Sequence, residues 1–167
     1  MANTYTLIAS STVGSGGAAN VQFTSIPATY TDLLIKLSGR HSQSATYINF
    51  TLTFNATTTG SNIELSGTGS TVGAGANAIA LGGYLNGNST TASTFGNTEI
   101  YIPNYTSTNK KSVSIDSVVE NNATASLANL SATLQDLTSA ITSITLALAS
   151  GTFLEFSTAY LYGIKNS

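Results

Sequence analysis

Between residues 47 and 54 apolar and polar side chains alternate, so that Ile48, Phe50, Leu52 and Phe54 fall on one side of an extended chain. A period of two marks a strand with one buried face. The same alternation runs through residues 5–9, 21–26, 33–40, 99–102 and 112–119. Residues 141–149 and 152–164 are read as two further strands joined through Ser150-Gly151, a tight-turn pair. Gly14-Ser15-Gly16-Gly17 predicts a hairpin between the first two strands, and Pro27 ends the second. Residues 126–137 are ambiguous: Leu127, Leu130, Leu134 and Leu137 recur at helical spacing, whereas Leu130, Ala132 and Leu134 alternate. The Thr and Asn residues around them disfavour helix, so a strand is the better reading.

Eight or more strands, no convincing helix and no internal repeat predict one all-β domain over residues 1–167, an antiparallel β-sandwich with jelly-roll topology as the expected arrangement. Residues 60–90 break the pattern, because eight of the fifteen glycines gather there. This segment is expected to be a long Gly-rich loop or insertion. It carries an apolar island, Ile79, Leu81, Tyr84 and Leu85, which a solvated loop has no reason to hold. The island either folds back on its own domain or docks on another subunit, and its four residues are the candidate interface.

Composition narrows the function. At 167 residues the chain is long enough to bury roughly 70% of its unfolded surface without metal or disulfide staples. Five basic residues against seven acidic ones, scattered along the chain, do not build a phosphate-neutralising stripe, so no nucleic-acid partner is expected. No apolar run is long enough to cross a membrane as a helix, and the first residues lack the pattern of a signal peptide. Six Asn-x-Ser/Thr sequons begin at Asn49, Asn55, Asn88, Asn104, Asn122 and Asn129. With this much Ser, Thr and Asn, chance gives about four or five, so they reflect composition.

Catalytic signals are weak. His41 is the one histidine and stands beside the one arginine, Arg40. Strand parity places His41 with Leu33, Ile35 and Leu37 at the rim of the core face and Arg40 with Lys36 and Asp32 on a solvated face. A hydrolase triad needs a histidine within hydrogen-bond reach of a nucleophile and an orienting acid, and His41 is the one histidine on offer; a zinc site is improbable with one histidine and no cysteine. Asp116, Glu120, Asn121 and Asn122 form the best oxygen-rich cluster for calcium, yet their spacing matches no known loop, and they read as a solvated strand edge. The acids Glu64, Glu99, Asp116, Glu120, Asp136 and Glu155 show no pairing for glycoside cleavage. No cofactor, no metal and no enzymatic activity are expected.

Three segments, residues 5–40, 94–125 and 140–167, resemble a family of small structural proteins from tailed bacteriophages. The most telling pieces are Ser25-Ile26-Pro27 with Tyr30-Thr31-Asp32-Leu33, and the closing Leu161-Tyr162-Gly163-Ile164. The resemblance implies a β-sandwich virion protein exposed on the particle exterior, made in the host cytoplasm. The leading expectation is a capsid decoration, or cement, protein that clamps the major capsid protein or other virion subunits, as a symmetric homotrimer. The other is a receptor- or glycan-binding module of a head or tail fibre. Low charge suits either role, since close packing then buries few unpaired ions.

Overall fold

A computed structural model describes residues 4–57, 59–122 and 126–165. Among them twelve strands follow in chain order: β1 (Tyr5–Thr12), β2 (Asn20–Phe23), β3 (Asp32–Gly39), β4 (Tyr47–Phe54), β5 (Gly60–Gly67), β6 (Val72–Asn77), β7 (Leu81–Asn86), β8 (Gly96–Ile102), β9 (Lys111–Val119), β10 (Leu127–Gln135), β11 (Ile144–Ala147) and β12 (Thr158–Ile164). They form a wide sheet in the order β1-β12-β3-β8-β9-β10-β5-β6 and a narrow one in the order β2-β11-β4-β7, with antiparallel neighbours throughout. The protein is an all-β sandwich.

One hydrophobic core lies between the sheets. The wide sheet contributes Leu33, Ile35 and Leu37 from β3, Ile100 and Ile102 from β8, and Val113 and Ile115 from β9. The narrow sheet answers with Phe50, Leu52 and Phe54 from β4, and with Ile144 and Leu146 from β11. At roughly 1.5–3 kcal/mol for each buried side chain of this size, such a core holds the sandwich without cross-links.

The pairing nests. β1 lies beside β12, β2 beside β11, β3 beside β8 and β4 beside β7, as if two antiparallel runs of chain had been laid together and then wound. The sequence predicts hairpins for β1–β2 and for the two strands flanking Ser150-Gly151. Neither forms, because each connection carries the chain from one sheet to the other. Residues 152–157 are accordingly a loop, and β12 begins only at Thr158.

The Gly-rich segment 60–90 is also not a loop: it holds β5, β6 and β7. Four of its glycines, Gly60, Gly82, Gly83 and Gly87, serve close packing. Gly83, with φ of 116°, faces Ser117 and Thr98 so closely that a Cβ has no space, and a β-bulge in the β4–β7 pair falls beside it. Together with the β9–β10 hairpin, β5 and β6 lengthen the wide sheet by four strands beyond β8.

The residue pieces that carry the phage resemblance meet in space. The Tyr30 ring lies over Gly163, where any side chain would collide with it. The Asp32 carboxylate accepts from Tyr101 Oη at 2.9 Å and from the Asn104 N–H at 2.8 Å, and Tyr105 Oη donates to the Pro27 carbonyl. These residues build a corner of the fold. Asn55, Asn104 and Asn122, three of the sequon asparagines, sit at φ of 48–58°, where asparagine is among the cheapest non-glycine residues.

Candidate functional site

Along the wide sheet the chain changes which side of itself it hides. One inward-facing row of register partners reads Leu161, Ile35, Ile100 and Ile115, then Ser131, Glu64 and Gly75. A neighbouring outward-facing row reads Lys36, Glu99 and Asp116, then Leu130, Leu65 and Ala74. Both rows switch polarity between β9 and β10. Beyond that line apolar side chains face out and polar ones face in.

The inward polar side chains of the reversed half are tied into hydrogen bonds, with Gln135 Oε1 left as a buried acceptor without a partner among the described residues. Thr133 Oγ1 donates to the Leu81 carbonyl at 3.0 Å and accepts from Asn62 Nδ2 at 3.0 Å. Ser131 donates to Asn129 Oδ1 at 2.7 Å, and Asn129 Nδ2 donates to Glu64 Oε2 at 3.2 Å. Tyr84 Oη, reaching across from β7, donates to the same carboxylate at 3.0 Å, and Gln135 Nε2 donates to the Leu52 carbonyl. Burial, and then the Glu64 carboxylate, push the Tyr84 phenol far above its ordinary pKa, so it stays a donor. A network of this kind makes burial of Asn129, Ser131 and Thr133 tolerable.

The outer surface of the same strands is bare. Ile63 is 65% exposed, Leu65 61% and Leu130 58%, and Val72, Leu134 and Val118 are exposed beside them. Shallow grooves run between β9, β10 and β5 and between β10, β5 and β6. No charged residue occurs between Glu64 and Glu99, so this part of the surface is uncharged along β5 and β6 beyond Glu64.

Of the four interface candidates predicted from sequence, Leu81 and Leu85 are core residues, because β7 is a strand of the narrow sheet. Their burial takes them out of reach of another subunit. Tyr84 is half-buried and committed to Glu64, with its ring edge-on to Tyr47 at 5.8 Å. Ile79 alone stays exposed. The stripe that sequence reasoning passed over is Leu130, Ala132 and Leu134. Its alternation was visible, but its polar partners Asn129, Ser131 and Thr133 were not suspected of turning inward.

A second feature lies at the loop end of the sandwich. β3 stops at Gly39, and both Arg40 and His41 are buried there, so Arg40 does not join a solvated face. The Arg40 guanidinium donates to the carbonyls of Thr91 at 2.8 Å, Thr94 at 2.9 Å and Thr90 at 3.1 Å, and to the Thr90 hydroxyl at 3.0 Å. Carbonyl oxygens replace the water it loses, and the loop 88–94 is pinned in return. His41 Nδ1 accepts from the Gln43 N–H at 2.8 Å. Burial lowers the imidazole pKa, partly offset by a hydrogen bond with the Ser150 backbone.

Residues 15–17, 93–95 and 152–156 surround an open cleft of about 410 Å³ beside Arg40. Glu155 is the one acid on this cleft, and among the described residues no three of His, Cys, Asp and Glu lie close enough to hold a metal. Glu120 caps its own turn, accepting from Asn121 and Asn122 N–H at 2.9 and 2.7 Å, while Asp116 faces Glu99 across the sheet. Lys36 pairs with Glu99, Lys110 with Asp136, and buried Lys111 donates to the carbonyls of Ser107 and Asn109. No family model, no curated protein and no solved structure matches the chain.

Proposed function

We propose that the protein is a structural component of a tailed-phage particle, a decoration protein on its exterior that lays the reversed half of its wide sheet against a neighbouring shell subunit. The observation that carries this reading is the reversal itself. A strand pair that hides Asn129, Ser131, Thr133 and Asn62 while exposing Ile63, Leu65 and Leu130 is arranged for a second apolar surface above it. The exposed large side chains amount to on the order of 600 Å², against about 800 Å² contributed by each partner in an interface of standard size. Asp116, beside Leu130, is the charge at the edge of the patch, so contact desolvates few ions.

The phage context rests on the resemblance of the corner around Pro27, Tyr30, Asp32 and Gly163. We read the nested strand order as a jelly roll to which the β5–β6 and β9–β10 hairpins have been added, and three of the four added strands, β10, β5 and β6, carry the reversed face. A symmetric trimer is the expected assembly, since closed symmetry lets one patch repeat one contact.

The test is binding of the purified protein to particles that lack it. Leu65→Thr with Leu130→Lys, which sets the lysine opposite Asp116, is expected to abolish binding while the circular dichroism spectrum and melting temperature stay close to wild-type values. Many tens of copies or more per particle and a higher particle melting temperature are expected for the wild type. Undiminished binding by the double variant overturns the assigned face, and light scattering that shows the face closed within a dimer reassigns it to a second copy. A fibre module is the second reading, favoured by the loop-end cleft; a handful of copies per particle selects it.

A further inference from the structure

The cleft at the loop end holds a contradiction that packing does not explain. Phe156 is 68% exposed, so its ring gains little from the core. It also occupies the third position of the turn 154–157, closed by the Ser157 N–H on the Leu154 carbonyl at 3.1 Å, with φ of 69°. Glycine or asparagine fills such a position with little strain, whereas phenylalanine is strained there and exposes an apolar ring besides. The backbone around it is firmly held: the Phe156 N–H donates to the Val13 carbonyl at 3.0 Å and the Leu154 N–H to the Arg40 carbonyl at 2.8 Å.

The other walls are equally fixed. Phe95 and Ser93 line the cleft from the loop that Arg40 pins, and Ser93 also sits at a positive φ of 61°. Ser15, Gly16 and Gly17 close the remaining side, with the Gly17 N–H on the Gly14 carbonyl at 3.0 Å. The carboxylate of Glu155 and the hydroxyls of Ser15 and Ser93 have no hydrogen-bond or ion-pair partner among the described residues. Aromatic rings, a free carboxylate and free hydroxyls therefore ring a preformed space whose volume lies within the range of small-molecule sites. The Arg40 guanidinium keeps its charge but is buried with its N–H groups spent on carbonyl oxygens, so the Glu155 carboxylate is the exposed charged group on the lining.

We propose that this cleft binds neutral, pyranose-containing glycans. The C–H face of a pyranose stacks on an exposed aromatic ring, and adjacent sugar hydroxyls donate to one carboxylate while accepting from serine hydroxyls. An acidic sugar meets Glu155 with a like charge. An open cleft with a polar rim suits a sugar better than a buried apolar side chain of a protein partner. The inference stands apart from the shell-packing face, which lies on other strands, and holds for a decoration protein or a fibre alike.

The experiment is an NMR titration of ¹⁵N-labelled protein with triacetylchitotriose, maltotetraose and, as the acidic control, 3′-sialyllactose. The neutral sugars are expected to shift the amides of residues 15–17, 93–95 and 152–157 in a saturable way, with dissociation constants of about 1 mM, typical of a shallow site. Phe156→Gly relieves the backbone and removes the ring. Its melting temperature is expected within about 2 °C of wild type or above it, and its affinity about tenfold lower. Phe156→Asn, which also accepts the left-handed φ, serves if the glycine variant folds poorly, and Glu155→Gln is expected to weaken binding about threefold. Neutral-sugar binding undiminished in the Phe156 variants overturns the proposal. So does the absence of any shift with neutral sugars, whether the cleft then answers to sialyllactose, to a peptide or to nothing.

Discussion

The two halves of the wide sheet are made of similar strands and behave as opposites. In β3 and most of β8 and β9 every second residue is apolar and faces the narrow sheet, while Lys36, Glu99 and Asp116 face out. In β10 and β5 the period is the same and the phase is inverted: Asn129, Ser131 and Thr133 go in, and Leu130, Ala132 and Leu134 go out. Alternation therefore specifies that a segment is a strand without specifying which face meets its own core. A reversed phase on a well-paired strand is the mark of a surface that has something else to meet.

The sharpest way to break the comparison is to shorten one outward and one inward apolar side chain. Ile115→Ala, in the ordinary half, is expected to cost about 2–5 kcal/mol in urea unfolding, because the cavity falls inside the core. Leu130→Ala, one strand away, is expected to cost under about 0.5 kcal/mol in the isolated protein. A comparable cost for both shows that Leu130 is already covered and dissolves the distinction.

The polar side of the reversed half is the next target. Tyr84→Phe removes the hydroxyl that reaches Glu64 and is expected to cost about 1–2 kcal/mol, with less change on adding Glu64→Gln than that change makes alone. Strict additivity in that cycle detaches Tyr84 from the network beneath β5.

The smallest effect sharpens the ordinary half at the end of β3. His41 has a lowered pKa when folded, so the unfolded chain binds the proton first as the pH drops. Its contribution is complete above the ordinary pKa of 6.5 and is lost as the pH falls from there through the folded value. His41→Asn keeps an acceptor for the Gln43 N–H and is expected to flatten that part of the stability profile between pH 7 and pH 5, read as melting temperature against pH. An unchanged slope assigns the acid sensitivity to other groups.

Much of the fold is legible in the sequence. The strands at 33–40, 47–54 and 112–119 were readable from their alternation, and 126–137 proved to be a strand, because Thr and Asn outweighed the helical spacing of its leucines. The hairpins expected at Gly14–Gly17 and Ser150-Gly151 failed for a general reason: a glycine turn says that the chain bends, not whether it stays in one sheet. The Gly-rich segment was misread because glycine in a strand has the same letter as glycine in a loop. Only the closeness of Ser117 and Thr98 to Gly83 explains its presence.

The candidate sites were less legible. Leu81 and Leu85, lying between glycines, were open to two readings, folding back on their own domain or docking on another subunit, and they fold back into the core. Phe156 carried no signal at all, since its exposure and its left-handed φ are properties of a folded turn. Arg40 and His41 were separated by parity onto opposite faces, yet the strand ends one residue before them and both are buried.

By itself the sequence determined the all-β class, the single core and the scarcity of charge, because these follow from period, composition and residue chemistry, which are local or additive. Which face of β10 and β5 looks outward, and which loops converge around Phe156, was decided only by tertiary structure. Both depend on contacts between segments far apart in the chain: Thr133 with Leu81, Asn129 with Glu64, and Arg40 with the loop after β7. A polar side chain is buried when another strand supplies its hydrogen-bond partner, and no local pattern records that partner.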